Sequence, residues 1–351
     1  MVTEFDAAGL LDRRPLDLDL KPTDVPTFLK FPGKVIADET TDKLVISDTA
    51  HHRIIVADLD GVVQQVIGSG AQGLDDGPSE VATFSHPQGL ALDGATLYVA
   101  DTENHAIRAV DLAAGTVATV AGTGEQLMGP RVGGPALHTP LASPWDLALL
   151  EGTLYVAMAG THQLWSMRLG SGFIVPFAGN GREDLVDGPL DSASMNQPSG
   201  LATDGRRLYV ADSEASAIRV VELGPGGGIR TIVGEGLFEF GDRDGRGPSE
   251  VRLQHPVGVA WHDGTVYIAD TYNHKIKRLD PVTAECRTWL GRGEPDSDDG
   301  EAEAAAFSEP SGLAIAEGRL YVADTNNHAI RMAEMETGIV STLLLTGLPP
   351  Q

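Results

Sequence analysis

Apolar and polar residues alternate over short stretches of the chain, and the same pattern returns at a regular interval. Its clearest copy is LYVADTNNHAIR at Leu320–Arg331, where apolar residues alternate on both sides of a turn. Alternation of period two is typical of half-buried strands, so each copy predicts two strands joined by a tight turn. Related copies begin at Leu44, Leu97, Leu154, Leu208 and Val266, with a spacing of about 54 residues.

Each repeat contains two further apolar stretches. A Pro-led stretch precedes the hairpin, as in HPQGLALD at His86, and another stretch follows it, as in VATVAG at Val117. Gly in the Pro-led stretch suits an innermost strand that is crowded at an axis. Repeats of this length build one domain from a ring or row of small cores. We therefore predict an all-β fold, a six-bladed β-propeller with four antiparallel strands per blade, over residues 31–351.

Residues 1–30 form an N-terminal extension before the first blade. Leu16, Leu18 and Leu20 alternate with Asp in PLDLDL, which predicts a short strand that lies outside the ring near its seam and clamps it. The extension has no apolar run long enough for a signal peptide or a membrane span. We therefore expect a soluble, cytoplasmic protein without a membrane partner.

Two polar positions recur in the hairpin, and we interpret both as structural. An Asp ends the first strand, and its carboxylate can accept hydrogen bonds from backbone N–H groups two or three residues on. A His recurs at the end of the turn, and repetition around a ring is typical of a packing and hydrogen-bonding role. These residues are Asp48, Asp101, Asp212, Asp270, Asp324, His52, His105, His274 and His328.

The charge and the cysteine count exclude several functions. A net charge of −25 argues against nucleic-acid binding, which requires a basic surface. Cationic partners and plain acidic solvation both remain compatible with this charge. The single cysteine, Cys286, excludes an internal disulfide, CxxC redox chemistry and a thiolate zinc cluster. We expect Cys286 in the outer strand of the fifth blade.

The connections between blades carry a second repeat that begins with an Asp or Asp-Gly. In a four-stranded blade these connections and the hairpin turns emerge on the same face, and loops on a rigid scaffold often carry function. We therefore expect a protein or small-molecule ligand on this face. The repeat begins at Asp76, Asp187, Asp244 and Asp299.

No motif in the chain predicts a cofactor. The acidic connections at Asp242 and Asp296 lack the spacing of a calcium-binding EF-hand. The Gly-rich stretches lack the Lys of a phosphate-binding loop. No His triad stands where the innermost strands begin, so we expect no metal, although the sequence does not settle whether calcium or zinc binds at the axis or loops.

The hairpin motif resembles the NHL repeat. The stretches Ala100–Ile107 and Ala323–Ile330 match its VAD-T-x-NH-x-I core. SPWDLA at Ser143–Ala148 and AMAGTHQLW at Ala157–Trp165 are similar to the propeller of thioredoxin-linked NHL-repeat-containing proteins. That resemblance implies a six-bladed propeller and, in relatives, a thioredoxin-like domain as partner. The thioredoxin-like domain is absent here, and with Cys286 alone no redox role carries over.

Three functions fit these observations. The first is a non-catalytic binding or scaffold propeller that uses its loop face and axial mouth. The second is a metal-dependent lyase or hydrolase with an axial active site, and the third is a metal-free biosynthetic enzyme that orients a small substrate there. No residue is assigned a catalytic role, so the sequence leaves open whether the protein is an enzyme.

The third blade departs most from the repeat, and we predict the ligand site there. Met158 replaces the turn Asp, and Gly133 stands where other connections have Asp. Violations of local rules concentrate at functional sites, although drift in one blade is the alternative. An indole beside a carboxylate at a concave mouth could bind a planar or cationic group. The predicted ligand-binding residues are Trp145 and Asp146, Gly160 making room for the ligand, and Gln88, His162, Ser199 and Ser311.

Overall fold

Six antiparallel sheets follow one another around a central axis in the computed structural model, which describes residues 28–129 and 131–347. In each sheet the long strands are ordered along the chain from the axis outward. The six-bladed, all-β architecture predicted from the repeat is therefore confirmed. No helix in the described part of the chain has the length and apolar character needed to cross a membrane.

The first blade has four strands, and each later blade has a two-residue strand followed by four longer ones. Blade one comprises β1–β4: Val35–Asp38, Lys43–Asp48, Arg53–Ala57 and Val63–Ile67. Blade two comprises β5–β9: Gly77–Pro78, Pro87–Asp93, Thr96–Asp101, Ala106–Asp111 and Thr116–Ala121. Blade three comprises β10–β14: Gly134–Pro135, Pro144–Leu150, Thr153–Met158, Gln163–Arg168 and Phe173–Ala178.

The remaining blades follow the same plan. Blade four comprises β15–β19: Gly188–Pro189, Pro198–Thr203, Arg207–Asp212, Ala217–Glu222 and Gly228–Val233. Blade five comprises β20–β24: Gly245–Arg246, Gly258–His262, Thr265–Asp270, Lys275–Leu279 and Glu285–Leu290. Blade six comprises β25–β29: Gly300–Glu301, Pro310–Ala316, Arg319–Asp324, Ala329–Glu334 and Ile339–Leu343. Within the described residues, helical structure is limited to short pieces: Thr49–His51, Thr102–Asn104, Ala136–His138, Ala159–Thr161, Gly247–Glu250, Thr271–Asn273, Ala302–Ala304 and Thr325–Asn327.

The strand order gives the ring two different faces. The turns between the second and third long strands lie on one face together with the connections between blades, and we call it the loop face. The turns between the first and second and between the third and fourth long strands lie on the opposite face. The first long strand of every blade begins at the loop face and lines the axis.

The hydrophobic core lies between the blades. Six clusters of buried side chains occur, and each draws on two neighbouring blades. The cluster between blades one and two, for example, joins Val45 and Ile54 to Phe84, Leu90 and Leu97. Because each blade buries both faces against its neighbours, the core becomes continuous only when the ring is closed.

A buried ion pair joins the two strands of the hairpin in five blades. In blade two, Arg108 is fully buried and its Nη1 donates to Asp101 Oδ2 at 2.8 Å. Its Nη2 donates to Oδ1 of Asp76 at 2.8 Å, and the same oxygen accepts the N–H of Thr119. One guanidinium thus fixes the hairpin, the incoming connection and the outer strand. The equivalent pairs are Asp48–Arg53, Asp212–Arg219, Asp270–Lys277 and Asp324–Arg331.

The repeated Asp does not accept backbone N–H groups of its own turn, contrary to the expectation. Asp101 Oδ1 accepts the N–H of Ser85 from the preceding connection, and Oδ2 accepts from the Asn104 amide and from Arg108. The turn closes by itself, because His105 adopts a left-handed conformation (φ 48°) and donates its N–H to Thr102 O. The carboxylate is therefore free to join separate segments.

Two hydrogen bonds join the hairpin turn to the next blade at every junction except that of blades three and four. Thr102 Oγ1 donates to Pro144 O at 2.7 Å, and Ser143 N–H donates to His105 Nδ1 at 3.1 Å. The last blade contacts the first in the same way. Thr325 Oγ1 donates to Pro32 O, and the N–H of Phe31 donates to His328 Nδ1. The ring is therefore closed by the same contacts that hold four of its other five junctions.

The ring begins before the predicted boundary at residue 31. Lys30 N–H donates to Asp48 Oδ1, and Phe28 O accepts from Arg53. Residues 1–27, including PLDLDL, lie outside the described residues, so the clamp stays a prediction. At the other end, Thr346 exchanges backbone hydrogen bonds with Gly61 and Val63 of blade one.

Cys286 lies in β24, the fourth long strand of blade five, as predicted. Its side chain is fully buried in the cluster between blades four and five.

Replacing Asp101 by Ala is expected to lower the free energy of unfolding by about 3 kcal/mol, because the Arg108 guanidinium stays buried without its inner carboxylate. Urea titration followed by circular dichroism measures the change. Asp111→Ala is the control, since Asp111 is exposed and accepts only local N–H groups, so about 1 kcal/mol is expected. Equal losses in the two variants would contradict the role assigned to the buried pair.

We expect the Cys286 thiol to resist Ellman's reagent in the folded protein and to react when the chain unfolds. Burial raises the pKa of Cys286 to about 12, so almost none of the reactive thiolate forms at mildly alkaline pH. Absorbance of the released thiolate in buffer and in guanidinium chloride measures the difference. Rapid labelling in buffer alone would show that blade five opens readily.

Candidate functional site

The axis is closed at the loop face by the first long strands. A Cβ added to Gly89 would lie 2.4 Å from Asp146 Cα, and one added to Gly258 would lie 1.8 Å from Ser311 O. Only glycine permits such close approach of neighbouring backbones. The space left between the strand ends is about 10 Å³, and we call it the axial recess. It holds no more than about one water molecule.

A buried ion pair crosses the axial recess. Lys34 of blade one donates from Nζ to Asp146 Oδ2 of blade three at 2.5 Å. Asp146 Oδ2 also accepts the N–H of Leu201 in blade four, and Oδ1 accepts the N–H of Leu147. Burial raises the pKa of Asp146, and the Lys34 ammonium opposes that rise. The pair thus ties three blades together at the centre of the ring.

Below the recess the axis widens into a funnel that opens on the opposite face. The funnel has a volume of about 560 Å³. Most of its lining side chains are apolar, including Ile36, Leu90, Leu201, Trp261 and Ile315, but polar and apolar atoms contribute about equally to its exposed lining. Lys34 lines it next to the recess, and Asp38 and Lys43 stand at the first-strand turn of blade one. The axial cavity that is large enough for a ligand therefore opens on the face opposite to the predicted loop face.

Four of the predicted ligand-binding residues meet at the axial recess. Gln88, Trp145, Asp146 and Ser199 all line it. Trp145 is half-buried, whereas Asp146 is buried and its charge is already matched by Lys34. The expectation of an open mouth with a free carboxylate was therefore wrong, because the glycine-mediated contacts close it.

The other three predicted residues have partners elsewhere. A Cβ on Gly160 would lie 3.0 Å from Ala142 Cβ and O, so this glycine makes room for a neighbouring backbone. Ser311 Oγ donates to Gly33 O at 2.8 Å. His162 Nδ1 contacts Asn196 O at 2.8 Å and must donate to it. Ligand binding by these residues stays a prediction.

The exceptions of blade three lie mainly in its core. Met158 and Trp165, which replace the Asp and the Arg of the ion pair, are fully buried. Gly133 replaces the Asp of the connection, and Pro176, which lacks an N–H, replaces the Thr that this Asp binds elsewhere. Four polar partners are thus replaced together. The hypothesis that these exceptions create a different surface was wrong for Met158, whose side chain is part of the core.

The junction of blades three and four is a second exception. In the other five junctions the residue before the Pro has a positive φ, but Gln197 does not. Its N–H donates to Asp212 Oδ1, and the carbonyl of Asn196 faces His162. The Asn196 side chain is buried, and neither its Nδ2 nor its Oδ1 has a hydrogen-bond partner among the described residues. Such an amide weakens this junction.

The acidic connections are neutralised by basic side chains. Lys277 Nζ donates to Asp242 and Asp244 at 2.7 and 2.9 Å, and Arg292 binds Asp296 and Asp298. Within residues 28–129 and 131–347, no group of three or more His, Cys, Asp and Glu side chains is placed to hold a metal ion.

Two connections on the loop face are longer than the others. Each runs from a Gly after the outer strand to the Gly of the next two-residue strand. The connections 122–134 and 234–245 exceed the connections 68–77, 179–188 and 291–300 by three and two residues. They carry Met128 and Phe238, whose exposed fractions are 86% and 87%. The lengthened connections therefore present large apolar side chains to solvent.

The sequence model of the family described as NHL repeat matches residues 84–109 and 307–331. NHL repeat-containing protein 2 of Homo sapiens is 42% identical over 91% of this chain and 48% of its own length. Protein SUPPRESSOR OF QUENCHING 1, chloroplastic, of Arabidopsis thaliana is 44% identical over 99% of this chain and 35% of its own length. The chain therefore spans about half of these relatives or less.

A solved gluconolactonase from Xanthomonas campestris is similar in structure. Its TM-score is 0.57 at 15% identity, and the match covers 90% of this chain and 86% of that chain. At this identity the likeness shows the fold alone. Together with the repeat match, the fold supports a protein-binding or scaffold role at the general level.

Replacing Lys34 by Met is expected to lower the free energy of unfolding by about 3 kcal/mol near neutral pH, because Asp146 stays buried without its cation. The ammonium that opposes the burial is lost, so the pKa of Asp146 rises further. A carboxyl whose folded pKa exceeds its unfolded pKa stabilises at low pH, and this stability is lost as the pH rises through the folded pKa. Thermal melts should show a larger loss at about pH 7.5 than at about pH 5.

Two variants serve as controls for this prediction. Lys43 lines the same funnel without an ion pair among the described residues, so Lys43→Met should leave the melting temperature nearly unchanged. Adding Asp146→Asn to Lys34→Met removes the titrating group and should abolish the pH dependence. A Lys34→Met protein as stable as wild type at both pH values would contradict the importance of the pair.

Proposed function

Because the chain belongs to the NHL-repeat β-propellers, we propose that it is a non-catalytic binding module that docks a protein partner on its loop face. The exposed apolar side chains of the two lengthened connections carry this proposal. Large apolar groups in water are costly, and side chains exposed in this way are typical of an interaction surface. The acidic surface favours a partner that is basic at the contact.

The closed axis supports a protein rather than a small molecule on this face. The axial recess has no room for a ligand, whereas loops around a closed centre offer a broad surface. Asp146, the carboxylate that lines the axial recess, already pairs with Lys34. An enzyme that works at the loop-face mouth therefore has less support than a docking module.

The funnel on the opposite face favours a second function. Its volume of about 560 Å³ lies within the usual range of ligand pockets, and its mixed lining suits a small molecule that carries both apolar and polar groups. Ligand binding in the funnel and protein docking on the loop face are compatible, because they use different faces.

Photo-crosslinking tests the docking proposal. Benzoylphenylalanine replaces Met128, Phe238 or Val282 in separate proteins produced in the host cell. Val282 is exposed to 86%, like Met128, but lies in the turn between β23 and β24 on the opposite face. We expect irradiation to give one discrete adduct with the same partner from positions 128 and 238.

Position 282 should give no such adduct, because it faces away from the docked partner. Mass spectrometry of the adducts identifies the partner and shows whether positions 128 and 238 share it. An equal adduct from position 282, or no adduct from either lengthened connection, would refute docking on the loop face.

A further inference from the structure

A small pocket lies on the loop face where blades four and five meet. It has a volume of about 230 Å³, and its lining includes Glu214, Ser216, Phe240, His255 and Tyr272. Three of these residues are aromatic or imidazole rings. The pocket adjoins the lengthened connection 234–245, which contributes Phe240.

The pocket exists because the fourth hairpin lacks the repeated His. At the end of the turn the other five hairpins have His, whose Nδ1 lies close to the entrance of the next blade. In blade four, Ser216 takes this position in the same left-handed conformation. Its Oγ still accepts the N–H of His255 at 3.1 Å. The hydrogen bond is thus kept while the volume of a ring is left empty.

The walls of the pocket are suited to a planar cation. The rings of His255 and Tyr272 stack with centroids 4.6 Å apart and an angle of 9° between their planes. Tyr272 is 47% exposed and Phe240 is 58% exposed, so both rings offer a free surface. The faces of aromatic rings attract cations, and guanidinium groups stack on them well.

The charges around the pocket are negative. Glu214 and Glu309 are the charged groups that act on His255, and Glu214 Oε1 lies 3.9 Å from its Nδ1. Burial lowers the pKa of His255, so its imidazole is uncharged at neutral pH. Among the described residues neither glutamate has a Lys or Arg in an ion pair. A cationic ligand would therefore contact carboxylates that no Lys or Arg among the described residues neutralises.

We propose that this pocket binds an arginine side chain on an extended, basic segment of the docked partner. The guanidinium stacks on Tyr272 and Phe240 and donates to the Glu214 carboxylate, while apolar neighbours in the segment contact Phe238. Arginine fits better than lysine because its planar fork combines stacking with a bidentate hydrogen bond. The proposal rests on docking at the loop face and adds the chemistry of the partner.

Peptide binding tests the proposal with a defined probe. Fluorescein-labelled Gly-Leu-Arg-Leu-Gly with blocked ends is titrated with the full chain, and fluorescence anisotropy reports binding. A second peptide carries citrulline in place of arginine, which keeps the shape and removes the charge. A third carries lysine. We expect the arginine peptide to bind about tenfold more tightly than either of the others.

Ser216→His is the decisive variant. It fills the pocket with the residue that the other five hairpins use, so the fold should tolerate it, as a circular dichroism melt will show. We expect it to weaken binding of the arginine peptide by about tenfold or more. Glu214→Gln should weaken binding through loss of the charge. Glu103→Gln is the matched control, because Glu103 occupies the same turn position in blade two, and it should have no effect.

Several results would overturn the proposal. Equal affinity for the arginine and citrulline peptides would exclude charge recognition, and equal affinity for lysine would exclude stacking of a planar cation. Unchanged binding in folded Ser216→His would place the peptide elsewhere, and absence of binding at millimolar concentration would reject the site. If adducts still form from positions 128 and 238 in any of these cases, docking on the loop face stands and only the arginine pocket falls.

Discussion

The buried cation of the hairpin, present in five of the six blades, is the contact on which the rest of the ring depends. Arg108 donates to two carboxylates and also to the carbonyls of Asp75 and Thr83, so one side chain makes four hydrogen bonds. Its acceptors include residues at the base of the connection on the loop face. Because the base is fixed in the core, the tip can vary in length and carry exposed apolar residues without loosening the blade. The binding surface is thus a consequence of the buried pair.

Blade three shows what must change when the cation is given up. Trp165 fills the space that the guanidinium occupies in other blades. Met158 and Gly133 replace the two carboxylates that the guanidinium would bind, and Pro176 replaces the Thr that the second carboxylate would bind. A single one of these changes would leave a buried charge or acceptor without a partner, which is costly. The four replacements therefore avoid this cost only when they occur together. The connection without the anchoring Asp, 122–134, is also the longest of the five.

The sequence predicted the period, the blade count and the position of Cys286, because each depends on a local pattern that repeats. It also showed Arg108, Arg219 and Arg331 seven residues after the Asp. The ion pair was nevertheless missed, because Arg53 breaks that spacing and Lys277 and Trp165 keep it with a different residue type. The closure of the axis could not be predicted, because Lys34 and Asp146 are 112 residues apart and meet only when the ring is complete. The role of Ser216 depends on a void, which no sequence pattern shows.

The pocket at Ser216 has a consequence for how such proteins diversify. A recess formed by the absence of a ring, with the backbone hydrogen bond retained by a hydroxyl, needs a single codon change and little structural adjustment. Five further hairpins hold a His at the same position, at His52, His105, His162, His274 and His328, so the same exchange is available at each of them. The residues around this position differ from blade to blade. A ring of this kind can therefore acquire new specificities one junction at a time while its architecture stays unchanged.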